Sequence, residues 1–419
     1  LQREIARLSR LVAAFASILG LAFFAIGTAM GLPFWDNAMF AIGIIVANVP
    51  EGLLPTVTLS LAMATQRMAK RNALVRHLPS VETLGSATVI CSDKTGTLTL
   101  GRMDVTQVFA ARLPGPTRDL GEAAAERNLL LNARLCNSLK RGSRDGGEGW
   151  LGDPMEVALV RFAGDPPDTG DATVVDEIPF DTDRKRMSVL CETPQGRRLY
   201  CKGALETVLA VCDSVEFDAG MVPLDAAAKA RLLAAQDEMA GAGLRVLAFA
   251  HGATAGGLPA EERGLILSGL VGLEDPPRPE VPQAIARCAE AGIRVIMVTG
   301  DHPHTAQAIA REIGLLKADH PVVITGDDLR HLSPAQLQLA LDAPEVLFAR
   351  VAAEQKMQLV EALQKKGEIV AVTGDGVNDA PALKVADIGI AMGLSGTDVA
   401  KEAADLILLD DNFASIVAA

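Results

Sequence analysis

The 419-residue sequence predicts an α/β fold: a doubly wound parallel sheet with an inserted α+β domain and an N-terminal pair of transmembrane helices. Three observations support this prediction. Two nearly uncharged runs open the chain. Short apolar strands that alternate with helical segments follow, which is typical of βαβ units. A long segment with loop signals of its own separates the first of these strands from the second, and it predicts the insertion.

The two apolar runs near the N-terminus predict a helical hairpin in a membrane. Residues Leu11 to Phe34 carry no charged side chain, and Asn37 to Gln66 carries only Glu51. A helix needs about 20 apolar residues to cross a bilayer, so each run is long enough. Basic residues at both outer ends predict that both ends lie in the cytoplasm. The alternative is two buried helices of a soluble core, which runs of this length do not favour.

Proline and a carboxylate interrupt the second run. Glu51 lies between Pro50 and Gly52, with Pro55 one turn later. Because proline removes a backbone donor and clashes with the preceding turn, we expect the helix to unwind here and its carbonyls to line a cation site. The expected ligands are the carbonyls of Val46, Ala47 and Val49 and the carboxylate of Glu51. The alternative is a proline kink whose Glu51 pairs with a lysine on another helix.

Three apolar segments end in Asp, Thr and Gly and predict the ligand-binding edge of the parallel sheet. The segment 87–92 ends at Asp93, 294–298 ends at Thr299-Gly300-Asp301, and 368–372 ends at Thr373-Gly374-Asp375. Ligands of such sheets bind beyond the carboxyl ends of the strands. We therefore expect these three ends to meet at one site.

The sequence divides into five predicted segments. Residues 1–76 are the membrane hairpin and stalk, 77–105 and 265–405 the two parts of the parallel-sheet domain, 106–264 the insertion, and 406–419 the start of a further stalk helix. The return to the parallel sheet is expected near Leu265, where an apolar run begins. The following Asp275-Pro276-Pro277-Arg278 segment is expected to act as a hinge, because proline stiffens it.

The residues at the expected sheet edge predict phosphoryl transfer. Asp93 stands at a strand end before a tight turn, Lys356 could neutralise a phosphoryl group, and Thr299 could donate a hydrogen bond to it. Asp375 and Asp379 could complete an oxygen site for Mg²⁺. A carboxylate nucleophile beside Mg²⁺ and a lysine can form an aspartyl phosphate. The alternative is that these residues only build turns. P-loop chemistry is disfavoured, because no G-x-x-x-x-G-K-[ST] motif occurs.

Composition excludes several other classes. The net charge of −13 argues against broad binding of nucleic acid. The six cysteines are widely spaced without a C-x-x-C pair, which indicates reduced thiols rather than a disulfide framework or a zinc site.

Several motifs together resemble those of the P-type ATPases. The segment 93–99, with the sequence DKTGTLT, is similar to the phosphorylation signature of that family. Further segments that resemble family motifs are 152–156, 184–188, 202–204, 275–278, 299–301 and 373–381, and the single residues Phe180 and Arg245 also match. The resemblance covers almost the whole chain. It implies a haloacid-dehalogenase-like phosphorylation domain with an inserted nucleotide-binding domain.

The resemblance also implies a role for each matching residue. It makes Asp93 the residue phosphorylated by ATP, with Lys356, Thr299 and Asp379 as further catalytic residues. Mg²⁺ would be held by Asp93, the carbonyl of Thr95, and Asp375. The implied ATP-binding residues are Glu156, Phe180, which stacks on adenine, Lys185, Lys202, Arg245, Thr299, Gly300, Asp301, Arg350, Lys356 and Asn378.

Two positions distinguish this chain within the superfamily. Ala353 stands where the pumps usually have proline, so we expect a looser turn there with Lys356 still in place. Thr95 stands where soluble phosphatases of the superfamily usually have a second aspartate, so this position resembles the pumps. A membrane-anchored phosphohydrolase and a non-transporting fragment that binds ATP remain the competing functional classes.

The membrane motif indicates the kind of cation. Heavy-metal pumps carry Cys-Pro in this helix, whereas Val49-Pro50-Glu51-Gly52 offers hard oxygen ligands. The segment resembles sodium/potassium pumps somewhat more than calcium pumps, and Ca²⁺ remains the alternative.

The resemblance also implies partners that the sequence does not contain. No Thr-Gly-Glu motif of an actuator domain occurs. We therefore expect a central piece of a pump, with lipid, an actuator domain and further membrane helices as its partners. We expect it in a plasma or inner membrane, with its soluble domains in the cytoplasm.

Overall fold

The computed structural model describes residues 2–48, 52–110, 115–119, 127–144, 147–164, 172–194, 196–217, 220–254 and 262–419. The chain divides into two compact units. The first contains Leu1–Cys91, Cys288–Arg294 and Ala353–Ala419, and the second contains Ser92–Arg287 and Val295–Ala352.

The helices of the described residues are α1 Gln2–Ala29, α2 Phe34–Ala47, α3 Leu53–Ala69, α4 Leu78–Leu84, α5 Arg127–Leu135, α6 Pro154–Ala163, α7 Leu205–Leu209, α8 Ala226–Gly241, α9 Val281–Glu290, α10 Pro303–Glu312, α11 Gly326–His331, α12 Pro334–Leu341, α13 Ala353–Lys365, α14 Ala380–Val385, α15 Asp398–Ala403 and α16 Phe413–Ala418.

The strands of the described residues are β1 Ala73–Val75, β2 Val89–Ser92, β3 Asp104–Ala110, β4 Lys140–Arg144, β5 Gly147–Leu151, β6 Thr173–Asp181, β7 Arg186–Thr193, β8 Gly196–Gly203, β9 Cys212–Phe217, β10 Gly220–Pro223, β11 Arg245–Ala253, β12 Leu265–Glu274, β13 Arg294–Val298, β14 Val322–Thr325, β15 Val346–Ala349, β16 Val370–Gly374, β17 Ile388–Met392 and β18 Leu406–Leu408.

Helices α1 and α2 of the first unit pack as a hairpin. The side-chain amide nitrogen of Asn37 on α2 donates to the carbonyl of Phe24 at 2.7 Å and to the hydroxyl of Thr28 at 3.1 Å. Gly27 makes room for it, since a Cβ there would lie 2.1 Å from the Asn37 Oδ1 atom. Within α1, the 23-residue span Arg7–Ala29 is long enough to cross a membrane and contains an 18-residue stretch with a mean hydropathy of 2.2, whereas α2 is shorter.

The expected cation ligands fall around the end of α2. Val46 and Ala47 are exposed in its last turn, and α3 begins at Leu53. Val49 and Glu51 lie outside the described residues.

The first unit also contains a sheet with the strand order β1-β18-β17-β16-β2. Its strands are parallel except for β1, which runs antiparallel to β18. Every residue of β2, β16 and β17 is buried, which explains their uninterrupted apolar runs. The third predicted strand, 368–372, begins two residues later than expected and continues through Gly374.

The second unit contains three parallel strands in the order β13-β15-β14 and a larger, mostly antiparallel sheet. The larger sheet has the order β10-β9-β12-β11-β8-β7-β6, with β3 also paired to β12. Helices α5 and α6 cover one face of this sheet, where Leu129 and Leu159 pack with Phe249. Helix α8 covers the other face through Leu232 and Met239.

Strand β12 differs from the sequence prediction. The run that begins at Leu265 was expected to return to the parallel sheet, but it pairs with β11, β9 and β3 in the larger sheet. Nine of its ten residues are buried because helices cover both faces of this sheet. A central antiparallel strand of this kind has the same continuous apolar run as a parallel strand, so the residue pattern does not separate them.

Candidate phosphorylation and nucleotide sites

The turn after β2 is held around Lys94. Asp93 follows the last residue of this buried strand, and Gly96 adopts a φ of +73°, which glycine tolerates without strain. Lys94 is only 5% exposed, and its ammonium lies 2.7 Å from the Oδ2 atom of Asp301. The sequence prediction did not include Lys94 among the site residues. The sequence signal that could have identified Lys94 as a site residue is its position directly after Asp93.

Thr299, Gly300, Asp301 and Arg350 lie together within the second unit. The buried Thr299 donates its amide to the carbonyl of Phe348, and the Arg350 amide donates to the carbonyl of Asp301. The Thr299 hydroxyl lies 3.3 Å from the Asp301 carboxylate, and the Thr95 hydroxyl lies 3.4 Å from it. The Asp301 carboxylate is therefore the acceptor that ties the Thr299 segment to the turn after Asp93.

A second carboxylate, Asp275, fixes the other end of the same turn. Its Oδ2 atom accepts from the Thr99 hydroxyl at 2.6 Å, and its Oδ1 atom accepts from the Arg102 amide at 3.1 Å. Arg278 donates to the carbonyl of Gly96 at 3.1 Å. Burial raises the pKa of Asp275 above its usual range. The proline-rich segment predicted as a hinge is thus bonded to the Asp93 turn.

Four further predicted residues lie in the first unit. The Lys356 ammonium pairs with the Oδ1 atom of Asp379 at 2.7 Å, and both side chains are nearly buried. The Oδ2 atom of Asp379 accepts from the amides of Asp375 and Gly376 at 3.2 and 3.0 Å. Burial, followed by the nearby Asp379 carboxylate, raises the pKa of Asp375. A cation bound at Asp375 would stabilise the charged carboxylate, which burial and Asp379 disfavour. Asn378 is exposed in the connecting turn.

Ala353 lies in regular secondary structure. Instead of a looser turn, Ala353 begins α13, so Lys356 lies on the first turn of that helix. The first position of a helix accepts both alanine and proline, which explains why the departure from the family pattern leaves Lys356 in place.

The predicted nucleotide-binding residues of the larger sheet include one buried ion pair. Lys202 on β8 lies 2.9 Å from Glu156 on α6, and their side chains are 7% and 13% exposed. Glu156 also accepts from the Ser138 amide at 3.0 Å. The helix that carries Glu156 begins at Pro154, and the Asp153 carboxylate caps it by accepting from the Met155 amide at 2.8 Å. The GDPME motif therefore places this carboxylate in the first turn of α6, beside Lys202.

The other predicted nucleotide residues are exposed. Phe180 on β6 is 61% exposed, so it is not a core residue. Lys185 lies in a turn with a φ of +51° and is 3.6 Å from Glu206. Arg245 is the exposed first residue of β11. Among the described residues, neither Phe180 nor Arg245 forms a hydrogen bond or ion pair with Lys202 or Glu156.

Glu262 was missed by the sequence prediction. It accepts hydrogen bonds from Arg184, Arg186 and Ser188 at 2.5, 3.0 and 2.6 Å. Burial raises its pKa, but the hydrogen bonds from Ser188 and Arg186, together with the charges of Arg186 and Arg184, hold the pKa of Glu262 below its usual value. Because two of its partners flank Lys185, Glu262 fixes the turn that presents Lys185. A glutamate in the short charged run Glu261-Glu262-Arg263 gives no sequence signal for this role.

The fold and these groups define a haloacid-dehalogenase-like protein with an inserted nucleotide-binding domain, and comparisons with known proteins agree. The family model described as the cytoplasmic domain N of P-type ATPases matches residues 126–280. A model described as a haloacid dehalogenase-like hydrolase matches residues 354–419.

Curated relatives extend the similarity over nearly the whole chain. The cation-transporting ATPase pma1 of Synechocystis is 44% identical over 94% of this chain and 47% of its own length. The potassium-transporting ATPase alpha chain 2 of Cavia porcellus is 40% identical over 99% of this chain and 46% of its own. The calcium-transporting ATPase 1 of Bacillus cereus is 41% identical over 100% of this chain and 48% of its own.

The chain therefore belongs to the P-type ATPase family, which confirms the prediction from its motifs. It spans about half the length of the curated relatives it matches.

Proposed function

We propose that the chain is the part of a cation-transporting ATPase that binds ATP and accepts its terminal phosphoryl group on Asp93. A carboxylate oxygen of Asp93 attacks the γ-phosphorus, the bond from that phosphorus to the β–γ bridging oxygen breaks, and ADP leaves. The observation that carries the proposal is the Asp93 turn, held by Lys94 and by the Thr299–Asp301 segment. The names of the relatives support the transport function.

The residues proposed to hold Mg²⁺ are Asp93, Asp375 and the carbonyl of Thr95. Their donors are all oxygens, which Mg²⁺ prefers, and the raised pKa of Asp375 indicates a carboxylate that a cation would stabilise. Strands β2 and β16 pair in parallel with Cys91 opposite Val372. Mg²⁺ would neutralise charge on the transferring phosphoryl group.

The proposed ATP contacts are those implied by the family motifs. Phe180 stacks on adenine, a role that its exposure permits. Glu156, Lys185, Lys202 and Arg245 bind the rest of the nucleotide in the larger sheet. The residues proposed to act near the phosphates are Thr299, Gly300, Asp301, Arg350, Lys356, Asn378 and Asp379. Of these, Lys356 acts as a cation that Asp379 orients, given their 2.7 Å ion pair.

The proposed membrane part is residues 1–76, with α1 as a spanning helix. The carbonyls of Val46, Ala47 and Val49 and the carboxylate of Glu51 would bind the transported cation. Na⁺ and K⁺ are preferred to Ca²⁺ because the segment from Val46 to Leu54 resembles the sodium/potassium-pump pattern. Lipid, an actuator domain and further membrane helices are the proposed partners. The soluble parts would face the cytoplasm from a plasma or inner membrane.

The nucleophile is tested by incubating the chain with Mg²⁺ and γ-³²P-labelled ATP and measuring acid-stable label. Wild type should be labelled and Asp93→Asn should not. Asp319→Asn, which changes an exposed aspartate of the same unit, is the matched control and should label like wild type. Label that persists in Asp93→Asn contradicts the assignment.

The transport function is tested in a chimaera in which this chain replaces the matching half of the Bacillus calcium-transporting ATPase. The phosphorylated fraction is measured with Na⁺, K⁺ and Ca²⁺ separately. A response to Na⁺ or K⁺ supports the proposal, and a response to Ca²⁺ alone reverses the ion preference. A chimaera that is labelled equally with and without each cation contradicts transport.

A further inference from the structure

A cavity of about 220 Å³ lies in the second unit, between α5 and the β7–β8 strands. Its lining includes two guanidinium groups, from Arg127 and Arg198, together with Asn128, Thr193 and Tyr200. None of these residues belongs to the phosphorylation or nucleotide sites described above. This volume is below the roughly 300–1,000 Å³ of typical small-molecule pockets, which suits a small anion rather than a nucleotide.

The position of the cavity separates it from the nucleotide residues. Arg198, Tyr200 and Lys202 alternate along β8 and therefore share one face of the strand. Arg198 pairs with Cys191 across the β7–β8 ladder, whereas Lys202 pairs with Met187. At a rise of about 3.3 Å per residue, the Cα atoms of Arg198 and Lys202 are about 13 Å apart. The cavity thus lies at the far end of β8 from the Lys202–Glu156 pair.

Two of the side chains that line the cavity, Arg127 and Arg198, are cationic. Arg198 is half-buried, and within the described part of the chain no carboxylate forms an ion pair with it. Burial raises the pKa of Tyr200, while Arg198 and Arg127 act in the opposite direction, so both guanidinium groups lie near the phenol. The neighbouring His251 is neutral at pH 7, because burial and then Arg198 lower its pKa to about 4. Glu216 accepts from Asn128 but does not line the cavity.

We propose that this cavity binds a small anion with two or more negative charges, such as a phosphate compound, through Arg127 and Arg198. Two guanidinium groups match the oxygens of such an anion, and the Tyr200 hydroxyl offers a further donor. A bound anion would form the ion pair that Arg198 does not make with any carboxylate of the described residues. The site is independent of phosphorylation at Asp93 and extends the proposed function to a second, separate ligand.

The test is isothermal titration of the full chain with pyrophosphate at constant ionic strength. The nucleotide site is first saturated with a non-hydrolysable ATP analogue. Wild type should bind one pyrophosphate saturably, and Arg198→Gln and Arg127→Gln should each weaken binding at least tenfold. Arg197→Gln is the matched control, since Arg197 is adjacent in sequence, exposed and paired with Glu192. This control should bind pyrophosphate like wild type.

Variants that keep the fold make the test decisive. Tyr200→Phe preserves the buried ring and should weaken pyrophosphate binding about threefold by removing one hydrogen bond. Affinity for the ATP analogue should stay unchanged in Tyr200→Phe and Arg198→Gln. The proposal is overturned if wild type shows no saturable binding, or if Arg197→Gln weakens it as much as Arg198→Gln. It is also overturned if the ATP analogue displaces pyrophosphate competitively, which would place the anion at the nucleotide residues.

Discussion

Lys202 and Glu156 form a charge pair with little access to water. Their side chains are 7% and 13% exposed, and the Ser138 amide donates to the second carboxylate oxygen. Removing two charges from water is costly, and the cost is offset only while both partners are present. The motif residues Gly152–Glu156 therefore have a structural role in addition to the nucleotide role that the sequence predicts.

Glu156→Gln should lower the free energy of unfolding by about 3–5 kcal/mol, because Lys202 would remain buried without its carboxylate. Urea unfolding of the full chain measures the change. Asp327→Asn is the control, since Asp327 and Arg330 form an ion pair with side chains that are 80% and 67% exposed. The control should cost less than about 1 kcal/mol. Equal effects of the two substitutions would contradict the argument.

His251 gives a prediction for the pH dependence of stability. It is buried on β11 beside the Ser268 hydroxyl, at 2.9 Å, and its pKa falls from 6.5 to about 4. Below pH 6.5 the unfolded chain binds a proton that the folded chain does not. The free energy of unfolding should therefore fall as the pH falls from about 6.5 to about 4, by up to about 3 kcal/mol from this group.

The measurement is urea unfolding of wild type and His251→Asn at several pH values between 7 and 4. The difference between the two isolates this histidine from the carboxylates that titrate in the same range. Wild type should lose more stability than the variant on acidification. His320→Asn, at an exposed position, is the control and should follow wild type. Parallel curves for wild type and His251→Asn would contradict the prediction.

At the scale of elements, two chain segments meet beside the proposed nucleophile. One leaves the Asp93 turn through Thr99 to β3, and the other returns from β12 through Asp275. Besides the side-chain bonds of Asp275, the Leu100 amide donates to the carbonyl of Pro276 at 2.9 Å. These bonds couple the two connections of the nucleotide-binding sheet to the Asp93 turn, which suits the hinge that the prolines predict.

Thr99→Val should destabilise the second unit by about 1–3 kcal/mol, because a buried oxygen of Asp275 would lose its hydroxyl donor. The change is measured as a shift of the urea midpoint. Thr182→Val at an exposed turn position should change stability by less than about 0.5 kcal/mol and serves as the control. An unchanged midpoint for Thr99→Val would show that the Thr99–Asp275 bond does not support the hinge.

The sequence predicts some elements better than others for physical reasons. Strands β2 and β13 end where the Asp and Thr-Gly-Asp turns predict, because those residues break an apolar run. The sheet that contains β12 was predicted wrongly, because burial on both faces gives the same pattern in either sheet. The partners of Lys94 and Glu262 were not predicted, since Asp301 and Ser188 meet them only through tertiary folding.

At the scale of the whole molecule, overall similarity does not select the cation. Identity is 40% to the potassium-transporting relative and 41% to the calcium-transporting relative. The choice of ion is therefore expected to depend on a few ligand positions rather than on the shared scaffold. In this chain the expected positions are Val46, Ala47, Val49 and Glu51. The motifs of the soluble part identify the family, because its chemistry depends on short, contiguous segments.

The central claim is that Asp93 forms an acyl phosphate with ATP. The most direct measurement is borohydride reduction of the chain after incubation with ATP and Mg²⁺, followed by peptide mass spectrometry. Reduction converts an aspartyl phosphate to homoserine and leaves an unmodified aspartate intact. Homoserine is expected at position 93, dependent on ATP and on Mg²⁺. Homoserine at another aspartate, or none at position 93, would contradict it.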